Sequence, residues 1–447
     1  MASPQPGLDL LRDLIRRARR AGADAADALF VESASVSHAQ RLGKVEKLER
    51  AESRDLGLRV LLGTRQAVVS TTDHDARSLE TLVERAIAMV RVVPEDPYCG
   101  LAPENRLARE IPDLDLCDPV EPSPEALIEQ ARACEDSALA VAGVTNSEGA
   151  EAAWSRSSIS LVASNGFAGS YQVSRHSLGV SVLAGAGTAM ERDYDFSSAV
   201  HGADLESAAV VGRRAGQKAV RRLNPRKAKT ARVPVIYDPR VSNSLLGHFA
   251  SAINGSAIAR GTSFLKDKME ERILPAGMRI VDDPRRRRGL ASKPFDGEGV
   301  ATTRRYLVDD GRLQSWILDT RSARQLGTET TGHASRGTSS PPSPSATNLY
   351  LEPGALSPDA LIAETGRGFY VTELIGFGVN GITGDYSRGA AGFWIENGRL
   401  DEPVSEVTIA GNLKEMLLGL TAADDLAFRY GVNAPTLRVA EMTVAGA

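Results

Sequence analysis

The six histidines are the first place to look for catalytic chemistry, because imidazole is a common metal ligand and a general base near neutral pH. A zinc peptidase of the common helical kind needs two imidazoles one turn apart with a glutamate between them, which gives HExxH. The sequence contains no such pattern, and no histidine has a second one within five residues: they are His38, His74, His176, His201, His248 and His333. Each is typical of a surface or hydrogen-bonded histidine, although a metal site assembled from distant residues stays open.

The patterns of other hydrolytic and phosphate-binding sites are also absent. There is no GxSxG elbow for a serine nucleophile and no GxxxxGK[ST] loop for phosphates. The three cysteines, Cys99, Cys117 and Cys134, contain no CxxC spacing, which argues against a cysteine-rich zinc site or a disulfide framework. Because no cysteine follows Cys134, a thiol nucleophile in the second half of the chain is excluded.

One glycine pattern, GFGVNG at 376–381, formally matches the dinucleotide fingerprint GxGxxG. That fingerprint must also open a helix whose N-terminus faces a pyrophosphate. Here a strand-like segment at 370–375 precedes the glycines, but residues 382–389 have turn chemistry and no helical period. We therefore reject the dinucleotide site and expect these glycines to allow positive φ or close backbone approach, at a bulge or beside a peptide ligand.

Composition and charge restrict the function classes further. The 447 residues carry 53 Lys and Arg against 57 Asp and Glu, a net charge of −4, which argues against a dedicated nucleic-acid binder. The arginine runs in the first 20 residues and at 285–288 predict solvated surfaces, although a local basic patch stays open. No signal-peptide h-region and no apolar stretch of about 20 residues occur, so we expect a soluble, cytoplasmic protein without a membrane partner.

The elements that position these residues fall into two parts, with a boundary near residue 230. Residues 1–230 predict a mixed α/β region with a Pro-rich, acidic connector at 93–124, and residues 231–447 predict a strand-rich, glycine-rich domain, so the expected fold class is α+β. Helices are predicted at 8–21, from a Ser78 cap to Pro94, at 124–142, from an Asp204 cap to 223, and at 242–260, 358–364 and 412–420. Strands are predicted at 28–31, 56–62, 66–70, 157–163, 169–184, 300–308, 313–318, 369–376, 392–396, 406–409 and 436–444. Residues 328–347, poor in apolar side chains, are expected to form a long surface loop.

Several long motifs in one order resemble the TldD/PmbA family, and the nearer match is its PmbA (TldE) branch. The motifs are FDGEGV at 295–300, LDTRSAR at 318–324, YVTELIG at 370–376, GDYSRGAAG at 384–392 and APTLR at 434–438. The resemblance continues upstream at 174–184 and in ERDY at 191–194, so it covers nearly the whole chain. It implies an intracellular heteromeric metalloprotease that processes unfolded or short peptides, including microcin precursors and antitoxins. The family has also been described as a modulator of DNA gyrase.

In this family the TldD subunit carries zinc on an HExxxH helix with a later cysteine ligand, and the TldE subunit completes the chamber. Aligned on the shared Gly-His, Asn243 stands where the first histidine would be and Ser244 where the glutamate would be, which leaves His248 alone. An amide is a poor zinc ligand and a hydroxyl is no general base at neutral pH. The resemblance therefore implies no metal and no catalytic residue in this chain, with zinc in the partner subunit.

Three hypotheses about function follow. The first is a non-catalytic subunit that binds a TldD-type partner and lines a cleft in which an extended peptide adds to a strand edge. The wall of that cleft would be residues 376–392, with Gly378, Asn380, Asp385, Tyr386 and Arg388 as peptide contacts, unless these residues only hold β-turns. The second is a hydrolase that uses His248 or His333 with distant ligands. The third is a non-proteolytic regulator of a partner such as gyrase. Whether the chain forms a homodimer without its partner stays open.

Overall fold

The computed structural model describes residues 6–446 of the chain. Long antiparallel hairpins build its first half. Six strands form one sheet in the order β3-β2-β1-β4-β5-β6, and four helices accompany it. The strands are β1 (Ala25–Arg41), β2 (Lys44–Leu62), β3 (Arg65–Thr71), β4 (Val144–Ala163), β5 (Ala168–Ala184) and β6 (Glu191–Ala199). The helices are α1 (Pro6–Arg20), α2 (Ala76–Val90), α3 (Pro124–Leu139) and α4 (Ala208–Arg221).

The helices cover one face of this sheet. Alternate residues of a strand share a face, so every second residue of β1 points toward the helices. Ala28 and Phe30 of β1 belong to the apolar core formed with α1 and α2, and Val36 belongs to a second core formed with α3 and α4. The other face is apolar only near Leu29 and Leu161, where Phe295 of the second half packs against it. The first sheet therefore holds its own helices on one side and receives the second half on the other.

A closed barrel forms the centre of the second half. Strands β7 (Ala231–Tyr237), β14 (Gly368–Val379), β15 (Asp385–Glu396), β16 (Arg399–Asn412) and β19 (Leu437–Ala445) each pair with two neighbours in a ring, and β17 (Leu420–Ala422) pairs outside it with β19. A second sheet has the order β10-β9-β8-β13-β18, and β11 and β12 form a small hairpin. These are β8 (Ile280–Asp282), β9 (Arg305–Asp309), β10 (Arg312–Leu313), β11 (Ala334–Ser335), β12 (Ser343–Pro344), β13 (Leu349–Leu351) and β18 (Val432–Asn433). The helices are α5 (Pro239–Ala252), α6 (Gly255–Ala259), α7 (Thr320–Gln325), α8 (Pro358–Thr365) and α9 (Leu413–Leu418).

Helix α5 packs its apolar face into the barrel. Leu245, Leu246 and Phe249 lie at the spacing of one helix face and join Tyr237 and Tyr386 in the largest apolar core. This packing places the polar residues of α5 beside the β14–β15 hairpin. The mixture of helices and mostly antiparallel sheets confirms the predicted α+β class. None of the described helices has the length and apolarity needed to cross a membrane.

Several predicted element boundaries are wrong. The strands expected at 28–31 and 56–62 are the apolar ends of the longer β1 and β2, whose other ends carry polar side chains and so lack an apolar signal. The caps are Asp75 and Ser207 rather than Ser78 and Asp204. The helix expected at 242–260 breaks at Asn254, which caps α6, and the strands expected at 300–308 and 313–318 shrink to β9 and β10.

The segment 328–347 is only in part the predicted surface loop, because residues 328–329, 337, 339–341, 343 and 345 are exposed but others are buried. His333 and Ala334 are buried, and the segment forms the β11–β12 hairpin with Arg336 inside the protein. Its side chains are small or polar, so they carry no apolar pattern, yet buried hydrogen bonds hold them, such as Thr347 N to Asp282 (2.7 Å). The connector is irregular apart from one turn at Glu104–Arg106, but Leu114 and Leu116 in it are buried, so it packs as part of the structure.

Candidate functional site

Helix α5 carries the residues that sequence comparison placed at the degenerate zinc motif. Asp238 caps the helix by accepting a hydrogen bond from Arg240 N (3.0 Å), and Pro239 occupies the first turn, where its missing N–H costs nothing. Ser244 Oγ donates to the carbonyl of Val241 (2.6 Å), so the hydroxyl is used within its own helix. Asn243 is half-buried on the same turn, and His248 follows one turn later.

His248 lies against the barrel strand β15. Its ring meets the edge of the Tyr386 ring at 5.9 Å between centroids and 77° between planes. The Nε2 atom of His248 is buried and has no hydrogen-bond partner within residues 6–446. Two motifs that lie far apart in the sequence, the Gly-His of α5 and the GDYSRG of β15, thus meet in space.

Tyr386 also carries an unused polar atom. Its side chain is only 2% exposed, and its hydroxyl has no hydrogen-bond partner in the described chain. The Tyr237 hydroxyl is near enough to influence its pKa, but it donates its own hydrogen bond to Met442 Sδ (3.3 Å). Burial raises the pKa of Tyr386, and the neighbouring Tyr237 hydroxyl and the Arg388 guanidinium each lower it in part. Both hydroxyls are therefore neutral at physiological pH.

Arg388 supplies the fixed charge of this cluster. Its Nε donates to the carbonyl of Ile375 (3.3 Å), and its guanidinium lies 5.8 Å from the centre of the Phe377 ring. Burial lowers the pKa of His248, and the positive charge of Arg388 lowers it further. A neutral imidazole is a good metal ligand, but a neighbouring guanidinium opposes a second cation at the same place.

The residues present do not fit a zinc ion. Around His248 stand an amide at Asn243, a hydroxyl at Ser244 that bonds to its own helix, and the cation of Arg388. Across residues 6–446, no group of three or more His, Cys, Asp or Glu side chains is arranged to hold a metal. We derive no catalytic step through a metal in this chain.

The glycines of the β14–β15 hairpin act as the sequence predicts. Gly376 has φ +80° at a bulge between Ile375 and Gly378, and a Cβ on Gly378 would lie 2.2 Å from the carbonyl oxygen of Ser387. The chain then turns into β15 rather than into a helix. The fingerprint therefore lacks the helix N-terminus that a dinucleotide site requires. Beyond the bulge Phe377 is 97% exposed.

The five predicted peptide contacts divide into three kinds. Asn380 Oδ1 accepts from Ile382 N (2.9 Å), and Asp385 accepts from Thr383 Oγ1 (2.6 Å), so these two side chains hold the turn. The Tyr386 side chain points inside, toward His248. Gly378 is exposed, and Arg388 is half-buried, with its guanidinium near the exposed ring of Phe377.

A second polar cluster, between the two halves of the protein, escaped the sequence reasoning. Asp27 of β1 accepts from Arg59 Nε (2.9 Å) and also pairs with Arg336, and all three side chains are buried. Burial alone would raise the pKa of Asp27, but the guanidinium groups of Arg336 and Arg59 bring it below its ordinary value. No local pattern could indicate this cluster, because Asp27 and Arg336 are 309 residues apart.

The FDGEG motif places two more buried carboxyl groups in this region. Asp296 accepts from the backbone N of Glu298 and Val300 (both 2.9 Å) and of Ala334 (3.0 Å). Glu298 accepts from Thr320 N (2.8 Å). Burial raises the pKa of both carboxyl groups, and for Glu298 the nearby Asp296 charge adds to the rise. A raised pKa means that each carboxyl group keeps its proton to a higher pH than an exposed one would.

The open face of the first sheet is lined by small polar side chains. Ser33, Ser35 and Ser37 alternate with the helix-facing residues of β1, and Ser33 Oγ lies 2.8 Å from Ser157 Oγ on β4. Ser155 and Ser157 line a groove of about 340 Å³ whose other wall is residues 289–293 of the second half. Tyr171, Arg175 and Lys293 also line this groove, so it combines hydroxyls with an aromatic ring and two basic side chains.

Comparisons with known proteins cover almost the whole chain. Sequence models of the PmbA/TldA metallopeptidase family match as domain 1 at residues 26–90, as the central domain at 117–223 and as the C-terminal domain at 230–446. Metalloprotease PmbA of Escherichia coli O157:H7 is 38% identical over 425 residues, which is 95% of this chain and 92% of that protein.

Solved structures agree in fold. A Bacteroides thetaiotaomicron protein described as a candidate modulator of DNA gyrase superposes with a TM-score of 0.91 at 29% identity over 100% of both chains. TldE from Thermococcus kodakarensis superposes with a TM-score of 0.87 at 21% identity, over 98% of this chain and 100% of that one. The second likeness supports the fold alone.

Proposed function

The chain belongs to the PmbA/TldD metallopeptidase family, on its PmbA (TldE) branch, and from this premise we propose that it is the non-catalytic subunit of a cytoplasmic heteromeric peptidase. A TldD-type partner would supply the zinc and the general base. The observation that carries this proposal is the set of groups around His248. The position of the zinc motif offers one imidazole, an amide, a hydroxyl bonded to its own helix and the cation of Arg388.

The contribution of this subunit would be to hold an extended peptide for the partner's active site. A peptide backbone that pairs with a strand edge gains affinity from main-chain hydrogen bonds and needs no particular side-chain sequence. The β14–β15 hairpin presents the exposed Gly378 and the half-buried Arg388, and the groove beside the first sheet presents Ser155 and Ser157. These surfaces suit unfolded or linear peptides as substrates.

The other two hypotheses have weaker support. His333 is buried, its Nδ1 is 2.8 Å from Thr331 Oγ1, and its Nε2 is 3.3 Å from Asp282, so its ring is held within the fold away from any substrate. The gyrase hypothesis rests only on how a similar solved structure is described, and we find no support for gyrase binding on the described surface of this chain. We therefore propose neither an independent hydrolase nor a gyrase regulator.

The test compares cleavage of casein by this chain alone, by a TldD-type subunit alone and by their mixture, with zinc supplied. We expect efficient cleavage only in the mixture, and its loss when the HExxxH glutamate of the partner is replaced by glutamine. In parallel, metal analysis of the purified chain should find well below one zinc per chain. Chelator-sensitive cleavage by this chain alone, or stoichiometric zinc in it, would contradict the proposal.

A further inference from the structure

The helix-covered face of the first sheet has a gap between its two apolar cores. Helices α1 and α2 pack over Phe30 of β1, and α3 and α4 pack over Val36. Between these positions Glu32 and Ala34 point to the same face, because alternate residues of a strand share a face. The gap forms a cleft of about 820 Å³, which is within the size range of small-molecule sites. We call it the helix-side cleft.

The strand register places two rows of mostly polar side chains on the floor of the helix-side cleft. The first row, from β2 to β5, is Arg54, Glu32, Ser158 and Gln172. The second row, from β2 to β4, is Glu52, Ala34 and Arg156. All of these residues line the cleft. A sheet face that is apolar under both helix pairs is therefore polar and charged between them.

Arg156 forms the positive end of the helix-side cleft. Its guanidinium makes no ion pair with the described residues and lies 5.6 Å from the centre of the Trp154 ring. Directly opposite on β1 is Ala34, which offers no charge, and Glu32 in the adjacent row pairs with Arg54 (3.1 Å). A half-buried guanidinium without a counter-ion can donate two parallel hydrogen bonds to an incoming carboxylate.

The negative end of the helix-side cleft lies at β2. Glu52 and Glu121 of the connector share one arginine, Arg50, at 3.0 Å and 2.6 Å. Two carboxylates beside one guanidinium leave one negative charge unbalanced, as Arg156 leaves one positive charge unbalanced. The charges of the cleft and its rim therefore cancel in sum but are separated in space.

Separated charges of this kind are complementary to a zwitterion. An anion such as phosphate would meet the carboxylates as well as Arg156. Strands β2 and β4 lie on either side of β1, so the two ends are two strand spacings apart, about 10 Å. Two or three extended residues span up to about 10 Å, whereas a single amino acid carries both charges on one carbon and cannot reach both ends.

We propose that the helix-side cleft binds peptides of two or three residues with free termini, with the carboxylate at Arg156 and the ammonium group at Glu52. Ser158 and Gln172 supply hydrogen-bonding groups for the peptide backbone. The site lies on the opposite face of the sheet from the groove at Ser155 and Ser157. It does not depend on the peptidase proposal, since it consists of residues of this chain alone.

Blocked peptides test both ends of the site on the native chain. Isothermal titration calorimetry of the full chain should show binding of trialanine. Trialanine amide and N-acetyl-trialanine each lack one charge and should bind about tenfold more weakly, as should free alanine. A failure of trialanine to bind at millimolar concentration would overturn the proposal, and so would equal affinities for the free and blocked peptides.

Two variants then assign the ends. Arg156→Met should weaken trialanine binding about tenfold but leave the affinity for trialanine amide, which has no carboxylate, nearly unchanged. Glu52→Gln should weaken trialanine binding in the same way but leave the affinity for N-acetyl-trialanine, which has no ammonium group, nearly unchanged. Circular dichroism should show both variants folded.

Arg132→Met is the matched control, because Arg132 is an exposed arginine of α3 that pairs with Glu129 (2.6 Å) and does not line the cleft. It should bind trialanine as the native chain does. If Arg156→Met also bound trialanine with native affinity, the peptide would occupy another place and the proposal would be wrong.

Discussion

The two polar clusters of this protein differ in what their polar atoms do. At the interface of the two halves, Asp27 is held between Arg59 and Arg336, and Asp296 accepts three backbone hydrogen bonds. At the end of α5, the buried Nε2 of His248 and hydroxyl of Tyr386 have no hydrogen-bond partner in the described chain. In the first cluster the carboxylates are paired by charged or backbone donors, and the atoms left without a partner, Nε and Nη2 of Arg336, belong to a guanidinium that is already paired with Asp27. In the second cluster the unpartnered atoms belong to neutral rings.

The difference shows that shifted pKa values do not by themselves locate a functional site. The carboxyl groups of Asp296 and Glu298 have raised pKa values, yet they are enclosed and engaged with backbone. Structural networks perturb pKa values as readily as catalytic ones. The interface cluster is better explained as the means by which two halves are held in one arrangement. The α5 cluster is the one on which our proposal of a site shared with another subunit rests.

Replacing Asp27 should give the largest effect and would show that the interface cluster is structural. Asp27→Asn leaves two buried guanidinium groups without their counter-ion, and breaking a buried pair in this way costs about 3–5 kcal/mol. Urea denaturation should show that loss in the free energy of unfolding. The matched variant is Asp385→Asn in the hairpin turn, an exposed carboxylate, for which we expect no comparable loss. Equal effects of the two variants would contradict the distinction.

The Asp296–Glu298 pair should produce a pH dependence of intermediate size. A raised carboxyl pKa means that the folded state keeps a proton that the unfolded state has released. Its stabilisation is therefore full below the ordinary carboxyl pKa of about 4.3 and falls as the pH rises through the folded-state value. Asp27, whose pKa is lowered, acts in the opposite sense and loses its contribution only in acid.

Glu298→Gln should remove part of this slope while keeping the acceptor for Thr320 N. Between about pH 5 and about pH 8 the unfolding free energy of the native chain should fall by up to about 1.4 kcal/mol per pH unit for each retained proton, and that of the variant should fall less. Unfolding curves at several pH values measure both slopes. Identical slopes would mean that Glu298 is ionised in the folded protein.

The fold was predictable where apolar residues recur at regular spacing. The apolar face of α2 and the glycines at 376 and 378 indicated their structures because local geometry requires those residue types. The outer half of β2 was not found, since a strand exposed to water needs no apolar alternation. The outer half of β1 was not found because the residues that it buries include the polar His38 and Gln40. The partial burial of 328–347 was missed because its interior contacts are hydrogen bonds rather than apolar packing.

The candidate site was only partly predictable. The resemblance located Asn243, Ser244 and His248, but the side-chain direction of Tyr386 and the distance from Arg388 to α5 depend on how the barrel closes. The contact between Asp27 and Arg336 depends on how the two halves pack together, which no spacing along the chain encodes. The contacts in both clusters therefore depend on the tertiary structure and not on local sequence.

The smallest expected effect is a change in the pKa of His248 on replacing Arg388, which tests the electrostatics of the α5 cluster. Because burial and the Arg388 charge both lower the pKa of His248, Arg388→Met should raise that pKa while burial still holds it below the ordinary value. The imidazole signals of the full chain, followed by NMR across pH and assigned with a His248→Asn variant, measure the change. Arg367→Met is the matched control, since Arg367 also lies over an aromatic ring, 5.7 Å from the centre of Trp394, in the same half of the protein. An unchanged His248 titration in Arg388→Met would mean that the guanidinium does not act on the imidazole. Repulsion between Arg388 and a metal ion would then be no argument against zinc at this helix.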